Sequence, residues 1–125
     1  MLADGATLSE ATASIVTAFG LTLRLLPVSD DRVRTRLDTD AGDLAFQEYF
    51  VKHRTEPEVR SVRFDGADAA RPAPGVIDAI LTAGVVAIAP SNPVVSLGPI
   101  LAVPGVREAL RETTAKVIAV SPIIG

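Results

Sequence analysis

The chain has 125 residues, 48% of them apolar and only 4% aromatic, with a formal net charge of −3 and a pI near 5.0. An acidic balance argues against a nonspecific nucleic-acid binder, which needs a basic face, and no apolar run reaches the ~20 residues of a membrane span. With no cysteine and a single histidine, His53, disulfide and thiolate chemistry are excluded, and a zinc site would have to combine that imidazole with carboxylates.

In chain order, Thr7 to Phe19 reads as a helix. Thr7 or Ser9 caps it, with Glu10 as the capping-box partner of Thr7. Leu8, Ala11, Ile15, Val16 and Phe19 form its apolar stripe, and Gly20 terminates it. Leu21 to Leu26 reads as a short strand that empties into the polar loop Pro27 to Asp31. Val33 to Thr39 alternates as a period-two strand, placed at a sheet edge. Ala41-Gly42-Asp43 is a turn, and Leu44 to His53 reads as a helix opened by Asp43. Val59 to Phe64 is a further strand.

Pro74 suits the first turn of a helix whose face is Val76, Ile77, Ile80 and Leu81 and whose end is Gly84. Val85 to Ala89 reads as a buried strand. It leads into a loop rich in Pro, Ser, Asn and Gly, from Pro90 to Leu101. Pro104 then starts a helix with Val106, Leu110 and Thr113 inward, and Val117 to Val120 is the last strand. A core poor in aromatic residues and strands that alternate with helices predict an α/β fold. The expected sheet is mostly parallel, Rossmann-like and three-layered, with right-handed crossovers. Residues 1–125 are expected to form a single partial domain, a fragment of a larger α/β protein, because the chain stops just where a strand delivers its loop. The N-terminal MLADGATLSE lacks a signal-peptide pattern. A cytoplasmic setting is expected, with no membrane and no nucleic-acid partner, and a homodimer stays open as the assembly.

In open α/β sheets, ligands bind outside the carboxyl ends of the strands. Three loops are assigned to that edge: Ser29-Asp30-Asp31, Ser91-Asn92-Pro93 continuing through Ser96-Leu97-Gly98-Pro99, and Ser121-Pro122. As a binding site, the second loop would offer the Ser91 and Ser96 hydroxyls, the Asn92 amide and backbone N–H groups near Gly98 to an anion. As plain structure, it would be a turn whose polar side chains satisfy its own backbone. Neither common phosphate loop, GxGxxG nor GxxxxGK[ST], is present. Asp30-Asp31 reads either as a solvated turn or as a hard-cation or hydroxyl contact. Phe46, Tyr49 and Phe50 suit core packing or an aromatic ligand. Arg32, Arg34 and Arg36 suit an exposed strand face or phosphate pairing. Nothing ties His53 to any one serine, so a Ser-His-Asp triad has no support.

Five stretches also carry a resemblance. Leu25 to Thr35 (LLPVSDDRVRT), Phe46 to Val51 (FQEYFV), Pro90 to Pro93 (PSNP), Ser96 to Leu101 (SLGPIL) and Ser121 to Gly125 (SPIIG) resemble the 2-phospho-L-lactate transferase family, in the family's order and over nearly the whole chain. Val28 stands where the family more often has methionine. The resemblance implies a role in making coenzyme F420. A phospholactyl or phosphoenolpyruvyl group would pass from a guanosine-diphosphate-linked donor to a hydroxyl of the deazaflavin Fo, with release of GMP and assistance from Mg²⁺. It places Ser91, Asn92, Pro93, Ser96, Gly98 and Pro99 around the guanosine-diphosphate end of the donor. Ser29, Asp30 and Asp31 come near the transferred group or the deazaflavin, with Asp30 as base or metal contact, and Ser121 and Pro122 line the same cleft. The family's glycine-rich N-terminal segment and the aspartates after it, which would supply cofactor and metal contacts, do not appear in these residues. Two other readings stay open: a sugar-nucleotide-binding protein of related fold, and a non-catalytic α/β unit.

Overall fold

A computed structural model describes residues 4–122; the expected motif residues Ile123, Ile124 and Gly125 lie outside them. Helix α1 spans Leu8–Ala18 and opens with the expected capping box: Glu10 N donates to Thr7 Oγ1 at 3.2 Å and Thr7 N donates to Glu10 Oε2 at 2.8 Å. It closes on Gly20, whose φ of +64° lets Gly20 N reach Thr17 O and Leu21 N reach Val16 O, a Schellman stop. The following segment, Leu21 to Leu26, is extended but is not the expected strand. No described strand lies beside it, and Leu21, Leu23 and Leu25 stay about half exposed.

The next three strands, β1 (Arg34–Thr39), β2 (Gly42–Ala45) and β3 (Val59–Asp65), form an antiparallel sheet in the order β2-β1-β3. Strand β1 is therefore central, not an edge. The cause is a tight turn at Asp40-Ala41, which pairs Thr39 with Gly42. Buried Thr39 locks this turn, its Oγ1 donating to Gly42 O at 2.8 Å and accepting from Ala41 N at 3.1 Å. Leu37 and Leu44 bury the inner face. Asp43 accordingly sits in β2 and does not open a helix. The expected helix over Leu44 to His53 shrinks to one turn at Phe46-Gln47 followed by a π-helix over Glu48–Lys52.

The second half alternates helix and strand as expected: α2 (Val76–Thr82), β4 (Val85–Ile88), α3 (Leu97–Ala102), α4 (Val106–Glu112) and β5 (Lys116–Ala119). Strands β4 and β5 pair in parallel. The α/β class thus holds, but the parallel arrangement belongs to this half alone. The core gathers Ala70, Val103 and Val106, with Ile77, Ile80 and Leu110 packed against them, so α2 and α4 meet on one side. Thr113 Oγ1 donates to Ile80 O at 2.8 Å and ties their ends together. Neither strand is buried as expected: Val86 and Ile88 are half-buried, while Val85, Ala87 and all of β5 are exposed. Helix α3 is an addition to the expected elements. Three prolines obscured it, yet Pro99 sits in its first turn, where a missing N–H costs nothing.

Candidate functional site

The parallel pair fixes one edge. Ile88 lies opposite Ala119, and Val120 N donates to Ile88 O at 3.2 Å, so the two chains leave the sheet side by side. Ser91-Asn92-Pro93 and Ser121-Pro122 therefore emerge at neighbouring strand ends, roughly 4.8 Å apart where the chains part. The short turn Ala83-Gly84 reverses the chain between α2 and β4, which puts the start of α2 at this same end. The start of α4 joins it: a Cβ at Gly105 would come within 3.7 Å of Pro72 and 3.6 Å of Ile77.

In the Pro90–Leu101 segment the structure gives Asn92 and Gly98 definite partners. Asn92 organises the turn: its Oδ1 accepts from Val94 N at 2.9 Å and Val95 N at 3.1 Å, and its carbonyl accepts from Ser96 N and Leu97 N. The side-chain Nδ2 has no hydrogen-bond partner among the described residues and faces solvent with an exposed residue. Pro93 opens the turn. Ser91 is half-buried and Ser96 exposed, and neither hydroxyl has a partner among the described residues. Gly98 serves packing. It lies under the Phe64 ring, where a Cβ would sit 2.6 Å from Cζ, so its smallness lets α3 pack on β3. Ser121 and Pro122 are exposed.

The loop Ser29-Asp30-Asp31 is held from two directions. Ser29 is only 4% exposed; its hydroxyl donates to Arg71 O at 2.5 Å and accepts from Asp31 N at 3.0 Å. This hydroxyl is a lock between Val28–Asp31 and the Arg71–Ala73 strap, reinforced by Ala73 N donating to Val28 O. Asp31 Oδ2 accepts from Arg71 N at 2.8 Å. Asp30 Oδ1 accepts from Ser9 N at 2.7 Å, adding a carboxylate to the N-terminus of α1, where negative charge is favoured. One oxygen of each carboxylate is left without a hydrogen-bond partner among the described residues. Asp30, Asp31, Arg71 and Pro72 line a cleft of 310 Å³. Pro72, at the edge of this cleft, lies near Gly105 at the start of α4.

His53 caps the π-helix and joins none of these groups. Arg36 is spoken for: its Nη2 donates to Asp43 Oδ2 at 2.6 Å, and Arg63, directly opposite on β3, reaches the same oxygen at 2.9 Å. Arg63 Nε also donates to Asp65. The hydrogen bonds from Arg36 and then Arg63 hold the Asp43 carboxyl below its ordinary range, and the bond to Asp43 raises both guanidinium groups. This is a solvated strand face cross-linked by its own acids. Sequence reading missed Arg71, whose backbone bonds Ser29 and Asp31 and whose Nε lies 3.9 Å from Asp31 Oδ2, and the Phe64–Gly98 packing. No local signal announces either.

The family model described as 2-phospho-L-lactate transferase CofD matches residues 1–125. The chain is 46% identical over 129 residues to a phosphoenolpyruvate transferase of Streptomyces griseus subsp. griseus, covering 100% of this chain and 41% of that protein. It is 50% identical over 130 residues to a phosphoenolpyruvate transferase of Mycobacterium sp. strain KMS, covering 99% of this chain and 39% of that protein. It is 46% identical over 125 residues to a 2-phospho-L-lactate transferase of Methanopyrus kandleri, covering 100% and 40% respectively. The chain thus spans about two fifths of the length of the curated relatives it matches. A crystal structure of a UPF0052 family protein from Bacillus halodurans has the same fold, with a TM-score of 0.71 at 20% identity, covering 90% of this chain and 36% of that one.

Proposed function

The chain belongs to the 2-phospho-L-lactate transferase CofD family, and from that premise we propose that the full-length protein is a cytoplasmic transferase of coenzyme F420 biosynthesis. In this reading it moves a phospholactyl or phosphoenolpyruvyl group from a guanosine-diphosphate-linked donor to a hydroxyl of the deazaflavin Fo. Relatives bearing either name are 46% identical to the chain, so the proposal covers both transferred groups. The observation that supports it is the parallel pairing of β4 and β5, which brings the Asn92 turn and the Ser121-Pro122 exit to neighbouring strand ends.

The acceptor oxygen bonds to the phosphorus that bears the transferred group. The bridging P–O bond breaks, GMP leaves with the electron pair, and the hydroxyl proton passes to a base. Such chemistry asks the protein chiefly for positioning and charge stabilisation. Asp30 is the proposed base, through the oxygen that Ser9 does not use. Asn92 Nδ2 and the Ser91 and Ser96 hydroxyls are the proposed donors to the guanosine-diphosphate end, with Pro93, Pro99 and Pro122 shaping the walls. Ser29 and Gly98 act by positioning.

A Mg²⁺ ion, if it arrives with the donor, would supply charge neutralisation there. Among the described residues no three carboxylate or imidazole groups converge, so these residues do not by themselves fit a resident metal site. Mg²⁺ commonly takes only one or two carboxylates beside phosphate oxygens and water, and Asp30 and Asp31 could contribute no more than that.

The test is to incubate the full-length protein with Fo, each donor and Mg²⁺ and to follow GMP and the phosphodiester product by mass spectrometry. Stoichiometric GMP and phosphodiester are expected. Absence of both with either donor would sink the reading.

A further inference from the structure

The first turn of α1 has more donors than its own residues can take. The capping box uses Thr7 N and Glu10 N, and Thr7 O accepts from Ala11 N at 3.0 Å. The N–H groups of Leu8 and Ser9 have no acceptor within the helix, as helix geometry dictates. Ser9 N finds one 21 residues away, on Asp30 Oδ1 at 2.7 Å. The Ser9 hydroxyl is enclosed and has no partner among the described residues, so the backbone alone makes this contact.

Asp30 and Asp31 are consecutive, yet their carboxylates are tied to different elements. Asp30 is tied to α1, whereas Asp31 Oδ2 accepts from Arg71 N at 2.8 Å on the strap. The Ser29 hydroxyl, accepting from Asp31 N at 3.0 Å, fixes the loop backbone between them. Arg71 Nε lies 3.9 Å from Asp31 Oδ2, while no cation among the described residues pairs with Asp30. Asp30 lines the 310 Å³ cleft together with Asp31 and Arg71, and no residue of α1 lines it. Helix α1 thus holds Asp30 from outside the cleft.

The tie matters because of how an aspartate moves. The last torsion of its side chain is broad and roughly two-fold, so a carboxylate on an exposed loop exchanges its oxygens freely. A bond from a backbone amide stops that exchange. The donor cannot rotate away, and it stands at the positive end of an 11-residue helix. One oxygen is committed to the helix, and the other is left in a fixed direction.

We propose that the N-terminus of α1 orients the proposed base, with Ser9 a positioning residue that acts through its amide on Asp30. This role rests on Asp30 being the base of the proposed reaction. Ser9 N–H fixes one carboxylate oxygen and so presents the other to the acceptor hydroxyl in a single orientation. The hydroxyl proton passes to that oxygen as the new O–P bond forms and the bridging bond to GMP breaks.

The test follows turnover of Fo by the full-length protein, with kcat and KM separated for Fo and for each donor. Ser9→Pro deletes the donating N–H at a position where no helical hydrogen bond is lost. Leu8→Pro is the matched control. It puts the same ring one residue earlier, after a Thr7 whose φ of −71° and ψ of 162° suit a residue before proline, and it keeps Ser9 N–H. An amide-to-ester exchange between Leu8 and Ser9 removes the same N–H without a ring, and replaces Ser9→Pro if far-UV circular dichroism shows that variant unfolded. Loss of the N–H is expected to lower kcat roughly 10- to 100-fold with both KM values unchanged, and Leu8→Pro to match the wild type. In an Asp30→Asn background the same loss is expected to cause no further fall, since no base is left to orient. Wild-type kcat without the N–H, an equal fall in Leu8→Pro, or an equal fall with and without Asp30 would overturn the positioning role and leave the reaction standing. Full turnover by Asp30→Asn would remove Asp30 as base, and this role with it. If the wild type does not turn over Fo, the reaction falls as well.

Discussion

Replacing Gly98 by alanine separates a packing role from an anion-cradle role. The added Cβ would lie 2.6 Å from Phe64 Cζ, 3.0 Å from Cε2 and 3.6 Å from Cε1. Ordinary carbon–carbon contact is about 3.5–4.0 Å, so the ring or α3 must retreat by about 1 Å. Overpacking of this kind costs about 1–3 kcal/mol. Gly98 is the second residue of α3, and alanine there gains back about 0.5–1 kcal/mol of helix propensity. The net effect is a destabilisation of up to about 2 kcal/mol. Phe64→Leu deletes the ring atoms responsible for the clash, so in that background Gly98→Ala becomes neutral or mildly stabilising. Urea unfolding of the wild type, both single variants and the double variant measures the coupling, expected at about 1–3 kcal/mol. Additive effects, within about 0.5 kcal/mol, would refute the packing argument; coupled with lost donor affinity in Gly98→Ala, they would point to a backbone cradle instead.

Ser29→Ala leaves Arg71 O and Asp31 N without their partner. Unfolding should move to lower urea by an amount corresponding to about 1–3 kcal/mol, with the smaller values favoured because water reaches both flanking residues. Lost turnover at unchanged stability would instead make the hydroxyl a ligand contact. Asp30→Asn keeps an oxygen for Ser9 N, so α1 stays capped, while turnover under saturating substrate should fall by at least ~100-fold if this carboxylate is the base; a retained pH–rate profile would remove it from that role. Asp43→Asn breaks the bridge between Arg36 and Arg63. Since the folded Asp43 pKa is lowered from 3.8, its contribution is full above that value and is lost as pH falls through the depressed folded one. Wild type and variant should therefore differ in urea midpoint at neutral pH and converge in strong acid; a pH-independent difference would contradict the ion-pair explanation.

Much of the fold is legible because its signals are local. The Thr7–Glu10 box, the Gly20 stop and the alternation in Val33 to Thr39 each act within a few residues of themselves; Pro74 and Pro104, expected in first helical turns, instead stand one residue before the N-cap glycines Gly75 and Gly105. The errors share a cause as well. Asp43 before an aromatic run looks like a helix cap, but the two-residue turn before it folds the segment back onto β1, and pairing overrides propensity. Leu21 to Leu26 has the composition of a strand, but a strand exists only where another backbone accepts its hydrogen bonds. At the site, Asn92 could be singled out from its place after β4, whereas the strand expected before Asp30 does not form. For Ser29 and Gly98, reading along the chain gave no sign of their structural partners, which are distant in sequence: Arg71 for the first and Phe64 for the second.

The amino-acid sequence by itself determined the α/β class, the start and stop of α1, the absence of cysteine chemistry and the family, because these depend on composition, short-range periodicity and ordered motifs. Only the tertiary structure decided that β1 is central, that Ser29 locks a strap, that Gly98 makes room for a ring, and that the Ser9 amide holds Asp30. Each of those facts is a contact between residues far apart along the chain. Which of a serine's or a glycine's several uses is realised depends on the group that folding brings against it.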